Sequence, residues 1–189
     1  MEGRPIVSPL PITARDLPVE RLEYLFDRHH ERLYRLARRL TPSMDDALDL
    51  VQDTFLRAAR SLASIPTGSI SEQEAWLIRV LINVRKDQWR KLQVRARHTS
   101  DSGPSEAMRN NPSPEAAMIA RATVWSALDR LQPRRRAVLV MHELDDVPVP
   151  KIAATLGISA ITVRWHLAAG RRELARAVKP FRGENHEKH

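Results

Sequence analysis

The stretch Lys151-Ile-Ala-Ala-Thr-Leu-Gly-Ile-Ser-Ala-Ile-Thr-Val-Arg-Trp-His-Leu167 decides the fold, because it reads as two short helices hinged at one glycine. Ile152, Ala153 and Leu156 recur at spacings that bury one side of the first helix against a neighbour. Gly157 ends that helix, since glycine takes the left-handed backbone of a sharp turn at least cost, and Ser159 can accept a hydrogen bond from the open amides of the next helix. Val163, Leu167 and Leu174 then mark the inward side of the second helix. That assignment sends Thr162, Arg164, Trp165 and His166 outward near the helix start, with Arg171 and Arg172 after them. A helix-turn-helix places such residues on the base edges and phosphates of a duplex. The same stretch would also serve as a plain helical hairpin in any all-α protein, so the rest of the chain has to decide.

The 189 residues suffice for one large domain or two small ones, each with a core of its own. Only 6 glycines, few alternating β-branched runs and long 3.6-residue periodicity make the chain all-α. The absence of cysteine removes disulfides and thiolate metal sites. A reducing compartment is the natural reading, although export is also compatible. No apolar run approaches the length of a membrane span, and the opening Met-Glu-Gly-Arg-Pro lacks a signal peptide's apolar core. The expectation is a soluble, cytoplasmic protein with no direct membrane insertion. A formal net charge of +8, from 31 Lys+Arg against 23 Asp+Glu, makes a polyanion the first partner to consider. Many of those arginines would sit equally well on solvated faces, so charge counts only where it is patterned.

Residues 1–15 carry Pro5, Pro9 and Pro11 without periodicity and read as a flexible tail. A first helix opens near Asp16 and Pro18, with Leu22, Leu25, Phe26, His29, Leu33, Leu36 and Leu40 inward. Thr41-Pro42-Ser43 breaks it, and Ser43 or Asp45 caps a second helix to about Leu62. Residues 63–71 form a loop by composition, after which Ser71-Glu-Gln-Glu74 has the capping-box pattern of a third helix reaching about Arg97. The Ser-, Gly-, Pro- and Asn-rich segment 98–113 reads as a linker. Helices resume at Pro114, at Pro133 and in the helix-turn-helix, ending near Val178 before Pro180 and a polar tail, 181–189. The expected architecture is two small helical domains, 16–97 and 114–180, on a flexible connector.

Two stripes carry the functional reading. On the second helix Leu48, Val51, Phe55, Ala58 and Leu62 face the core, while Asp49, Gln52, Asp53, Leu56 and Arg60 line up on another side. Two carboxylates, an amide and one apolar side chain suit a docking patch for a basic protein surface, though a solvated face with a stray leucine has the same pattern. The third helix is apolar nearly all round from Ala75 to Val84, and its polar residues Arg79, Asn83, Lys86, Arg90 and Arg97 share one face. With Trp89, Lys91 and Arg95 nearby, that stripe suits the backbone and unstacked bases of a nucleic-acid strand, or simply a solvated basic helix. The inventory for catalysis is poor: no Gly-rich phosphate loop, no cysteine nucleophile and no His-Glu pair at metal-ligand spacing, so neither cofactor nor metal is expected.

In order and separation these motifs resemble a bacterial RNA polymerase sigma factor of the extracytoplasmic-function (ECF) type. The resemblance runs from about Leu22 to Leu174 and rests on Asp49-Leu-Val-Gln-Asp-Thr-Phe-Leu-Arg-Ala58, on Ala75-Trp-Leu-Ile-Arg79 with Asn83 and Asp87, on Ala127 to Leu139, and on the helix-turn-helix with Arg171-Arg172. It implies a non-enzymatic promoter-specificity subunit with a sigma region 2 domain followed by a region 4 domain. Its partners would be the RNA polymerase core, through the β′ clamp and the β flap, and promoter DNA; an anti-sigma factor is a further partner of the family. Asp49, Gln52, Asp53 and Leu56 would grip the β′ clamp. The 63–71 loop with Arg79, Asn83, Lys86 and Arg90 would open the minus-ten element and capture an extruded base. Ser159, Thr162, Arg164, Trp165, His166, Arg171 and Arg172 would read the minus-thirty-five element.

The chain departs from the family pattern at Ile82, usually arginine, at Gln88, often tryptophan, and at Pro148 and Pro150, which flank Val149 where relatives cap with serine. Trp165, His166 and Ala168-Ala169 replace small and basic residues of the reading helix, which implies an unusual promoter preference or weaker duplex binding. Two other readings stay open at this point: a free-standing helix-turn-helix regulator, which has no use for the Asp49–Leu56 face, and a decoy that mimics a sigma factor, which would not keep the basic stripe.

Overall fold

The computed structural model describes residues 18–98 and 124–183, and every regular element among them is helical. The expected tail 1–15, the linker 98–113 apart from His98, which ends the third helix instead, and the start of the helix expected from Pro114 lie outside the described residues. Helix α1 (Pro18–Leu40) follows its periodicity, burying Leu25, His29, Leu33, Leu36 and Leu40. Phe26, expected inward, is exposed at the edge of that stripe and lies against His30 and Phe55. Ser43 caps α2 (Met44–Arg60), its hydroxyl accepting the Asp46 N–H at 3.0 Å. α2 stops at Arg60 rather than Leu62, because a 3₁₀ turn, Leu62–Ser64, bends the chain and delivers Ile65 to the core. Leu48 is also corrected. The buried side of α2 is Ala47, Leu50, Val51, Thr54, Phe55 and Ala58, and at about 100° per residue Leu48 falls beyond its edge, 47% exposed.

α3 (Ile70–His98) packs on both helices and buries Leu77, Ile78, Leu81, Ile82 and Val84. Its capping box forms two residues earlier than expected. The Ser69 N–H donates to the Glu72 carboxylate at 2.9 Å, and the Ser69 hydroxyl accepts the Glu72 N–H at 3.3 Å. Both serines have a glutamate three residues on; the earlier frame lengthens the helix and leaves Glu74 free to pair with Arg32 of α1.

The second bundle comprises helical residues 124–129 (α4), α5 (Pro133–Glu143), α6 (Val149–Leu156) and α7 (Ala160–Gly183). Pro133 opens α5, and Pro148 and Pro150 bracket the start of α6, where a missing N–H costs no helical bond. α7 does not end near Val178 but runs through Pro180 to Gly183. Proline there removes one N–H and so leaves only the Arg176 carbonyl without its helical donor, a loss confined to the last turns. Where α7 crosses α5 there is room for no side chain: a Cβ on Gly170 would overlap Leu139 Cδ1 and come within 3.2 Å of Arg135 Cγ.

The two bundles pack together, α3 on α5 and α6, and α1 on α5. Arg136, 2% exposed, reaches out of α5 to donate its Nε to the Arg39 carbonyl at 2.8 Å while Nη1 pairs with Asp129. Arg85 of α3 donates to the next carbonyl, Leu40, at 3.0 Å. The end of α1 thus receives one guanidinium from each bundle, which satisfies carbonyls that a helix leaves open and complements the negative end of its dipole. Burial presses the pKa of Arg136 below the ordinary guanidinium value, and Asp129 opposes that shift. Arg39 itself pairs with Asp145, and Arg79 of α3 donates to the Thr155 carbonyl at 2.9 Å.

His29 supplies a pH signature. Burial holds its imidazole below the ordinary value of 6.5, a shift opposed by Gln73 and Glu74 and reinforced by Arg28 and Arg32. The folded protein therefore binds a proton less readily than the unfolded chain. The stability this confers is complete above pH 6.5 and declines as the pH falls below it. Urea unfolding at neutral and mildly acidic pH should show this loss, and His29→Gln should flatten the dependence; parallel curves for the two proteins would rule the histidine out as its source.

Candidate functional site

On α2 the capping of Ser43 sets the register, and the core stripe beginning at Ala47 turns the opposite side to solvent. Asp49, Gln52, Asp53, Leu56 and Arg60 are all exposed there, so the structure brings this expected group together. Leu56 is 52% exposed. Leu48 joins the face one turn before Gln52, with Met44 one turn earlier still, so the apolar part of the patch is larger than the single leucine read from sequence. Asp53 is held from behind: the Gln88 side-chain amide donates to its carboxylate at 3.2 Å. Beside it Arg57 and Asp87 pair at 3.0 Å, tying α2 to α3 a second time. The result is an acidic and apolar surface on a fixed helix, able to desolvate two leucines against a partner while the acids select positive charge.

The α3 stripe is less uniform. Asn83 and Arg90 are exposed, Lys86 is half-buried, and Arg79 is half-buried with its guanidinium on the Thr155 carbonyl of α6. Arg79 thus lies where the two bundles touch, and the open part of the stripe begins at Asn83. Ile82 is within the core, so an arginine has no place to extend in this packing.

The helix-turn-helix forms as read. Gly157 adopts φ 64°, ψ 38°, and the Ile158 and Gly157 N–H groups donate back to Ala153 and Ala154 in a Schellman pattern. The Ser159 hydroxyl accepts the Thr162 N–H at 3.0 Å, and the two helices bend by 107° at the turn. Arg164, Trp165, Arg171 and Arg172 are exposed, and Ser159 is exposed at the cap. Two expectations change. Thr162 is half-buried, its hydroxyl bonded to Ser159 at 2.8 Å. His166 is 9% exposed and points inward. It lies three residues after Val163, about 60° round the helix, and so belongs to the buried stripe; Ile161, about 160° from Val163, faces out instead and is 75% exposed. Burial, followed by the charges of Arg135 and Arg134, keeps the His166 imidazole below its ordinary pKa and hence neutral at pH 7. Arg171 donates to Glu143 at 2.6 and 3.0 Å, which fixes its side chain along the end of α5.

Among the described residues no group of three or more His, Asp or Glu side chains is placed to hold a metal ion, and no single helix is long and apolar enough to cross a membrane. What the geometry offers is binding: one acidic-apolar face, one basic stripe and one helix shaped for a groove.

Comparison with known proteins matches residues 25–95 to the family model described as Sigma-70 region 2 and residues 121–174 to Sigma-70, region 4. Similar proteins include the ECF RNA polymerase sigma factor SigE of Mycolicibacterium smegmatis, 35% identical over 156 residues, which cover 79% of this chain and 58% of that protein. The RNA polymerase sigma-E factor of Streptomyces coelicolor is 33% identical over 144 residues, covering 75% of this chain and 76% of that one. The chain thus spans little more than half of the first relative and about three quarters of the second. Among solved structures, CnrH in complex with the cytosolic domain of CnrY matches with TM-score 0.54 and 26% identity, over 84% of this chain and 88% of that one. The sigma factor RpoE in complex with the anti-sigma factor NepR from Bartonella quintana shares the fold, with TM-score 0.53 and 23% identity over 85% and 96% of the two chains. None of these matches supports a free-standing regulator or a decoy. With two sigma-region models in sequence and relatives about a third identical over 75% and 79% of this chain, the chain belongs to the ECF sigma factors, the promoter-specificity subunits of bacterial RNA polymerase.

Proposed function

We propose that this chain joins RNA polymerase core to promoter DNA, gripping the β′ clamp with Asp49, Gln52, Asp53, Leu56 and Leu48. On this reading the α3 residues Arg79, Asn83, Lys86 and Arg90 meet the opened minus-ten strand, and the outward residues of α7, with Ser159 at its cap and Arg171 and Arg172 beyond, meet the minus-thirty-five duplex. The observation that carries it is the pairing, in one chain, of an exposed acidic-apolar α2 face with a capped helix-turn-helix, since DNA binding alone requires only the second. Each contact need only be weak. Two weak sites held on one polymerase act at high effective concentration toward one promoter. The chain performs no chemistry of its own here and works in the cytoplasm beside the core enzyme. RpoE, solved in complex with the anti-sigma factor NepR, and CnrH, solved in complex with the cytosolic domain of CnrY, support an anti-sigma factor as a third partner.

In vitro transcription with bacterial core enzyme over a random promoter library tests this reading directly. Specific initiation from a recurrent pair of upstream elements is expected; a folded chain that supports none from any template defeats it.

A further inference from the structure

The outward side of α7 is short of hydrogen-bonding readers. From Ala160 to Arg172 there is no Asn, Gln, Asp or Glu. Of the polar groups that remain near the helix start, the Thr162 hydroxyl is bonded to Ser159 and His166 is buried, which leaves Arg164 as the exposed donor. The amide pairing that reads adenine and the carboxylate that reads cytosine are therefore both missing, and arginine suits guanine. What the helix presents in their place is apolar: Ile161 at 75% exposure and Trp165 at 55%, one turn apart, with exposed Ala168 next in line.

Trp165 is also held in place before any ligand arrives. The Arg135 guanidinium lies over its ring at 5.2 Å, the His166 ring meets it edge-on at 5.0 Å, and Arg135 is itself buried and paired with Glu173. A large side chain ordered in advance loses little freedom on binding. Exposed single apolar residues are ordinary, but a fixed tryptophan one turn from an isoleucine, flanked by Arg164, Arg171 and Arg172, forms an apolar strip with positive charge alongside. The major groove of DNA offers such a strip one apolar group in particular, the C5 methyl of thymine, with phosphates on both sides. One helical turn, about 5.4 Å, spans one to two base steps of about 3.4 Å.

Resting on the assignment of α7 as the duplex-reading helix, we infer that Ile161 and Trp165 select the upstream promoter element by contact with thymine methyl groups at neighbouring positions. Arg164 adds a guanine beside them.

The test uses the full chain at low ionic strength and a random duplex library to select the preferred element, followed by replacement of each thymine in it with deoxyuridine, which lacks only the methyl. One or two positions should each weaken binding about fourfold on loss of the methyl. At those positions Ile161→Ala or Trp165→Ala should bind thymine and deoxyuridine equally, while both variants keep the wild-type circular dichroism at the assay temperature. Both side chains are exposed, so refolding problems are not expected; Trp165→Leu, which keeps an apolar surface, should retain part of the discrimination. Tight, sequence-specific binding that is indifferent to deoxyuridine everywhere overturns the inference alone, as does a methyl preference that survives both alanine variants. Absence of any selected duplex, or affinity unchanged by Arg164→Ala together with Arg172→Ala, overturns it along with the assignment of α7.

Discussion

Asp53→Arg should lower the affinity of the full chain for RNA polymerase core by about a hundredfold or more, the range of a central interface residue whose loss also buries a like charge against its partner. Asp53 is exposed in the middle of the α2 face, and the side-chain bond it receives from Gln88 at 3.2 Å is a solvent-exposed contact of little weight in stability. The variant should therefore fold and melt as wild type does. Duplex binding through α7 should be unaffected, because that helix belongs to the other bundle. Titration of labelled core enzyme, read beside a duplex-binding assay, separates these effects. Equal core affinity for the two proteins would remove α2 from the clamp interface.

The second large effect is on stability. Arg136→Met keeps most of the side-chain volume but withdraws a guanidinium that bonds the Arg39 carbonyl, pairs with Asp129 and lies 5.7 Å over the Trp125 ring. The Arg39 carbonyl left unbonded in a part-buried setting costs about 1–3 kcal/mol, while Asp129, 36% exposed, regains water, so a loss of about 2 kcal/mol is expected in urea unfolding. Asp129→Asn, which retains an acceptor, should cost about 1 kcal/mol. A methionine variant as stable as wild type would show that this contact contributes nothing to the packing of the bundles.

Most of the helical frame was legible because periodicity and caps are local. The leucines of α1, the Ser43 cap and the Gly157 turn are each decided by residues within a few positions of one another, and all three form as expected. In α7 polarity and helical angle disagree. His166 is polar but stands three residues after Val163 and is buried, whereas apolar Ile161 falls on the far side and is exposed. Leu48 shows the converse, a leucine expected in the core that is exposed beside Gln52 and Leu56. The capping box forms at Ser69 while Glu74, the partner a Ser71 box needs, pairs with Arg32 some forty positions away, a contact no local pattern contains. Nor does any spacing announce that Arg136 would end on the last turn of α1. Such contacts depend on how the bundles meet, and that is fixed only when all the helices are in place.

Gly170 bears on how the protein could change its target. With no side chain of its own at Gly170, the α7 backbone rests directly on the Leu139 side chain and the stem of Arg135, and these set the tilt of the helix bearing Ile161, Arg164 and Trp165. There is little slack at such a seam. On the proposed reading of α7, a substitution at Leu139 would re-tilt the whole row of outward residues, altering which base pairs they meet without replacing any atom that meets them.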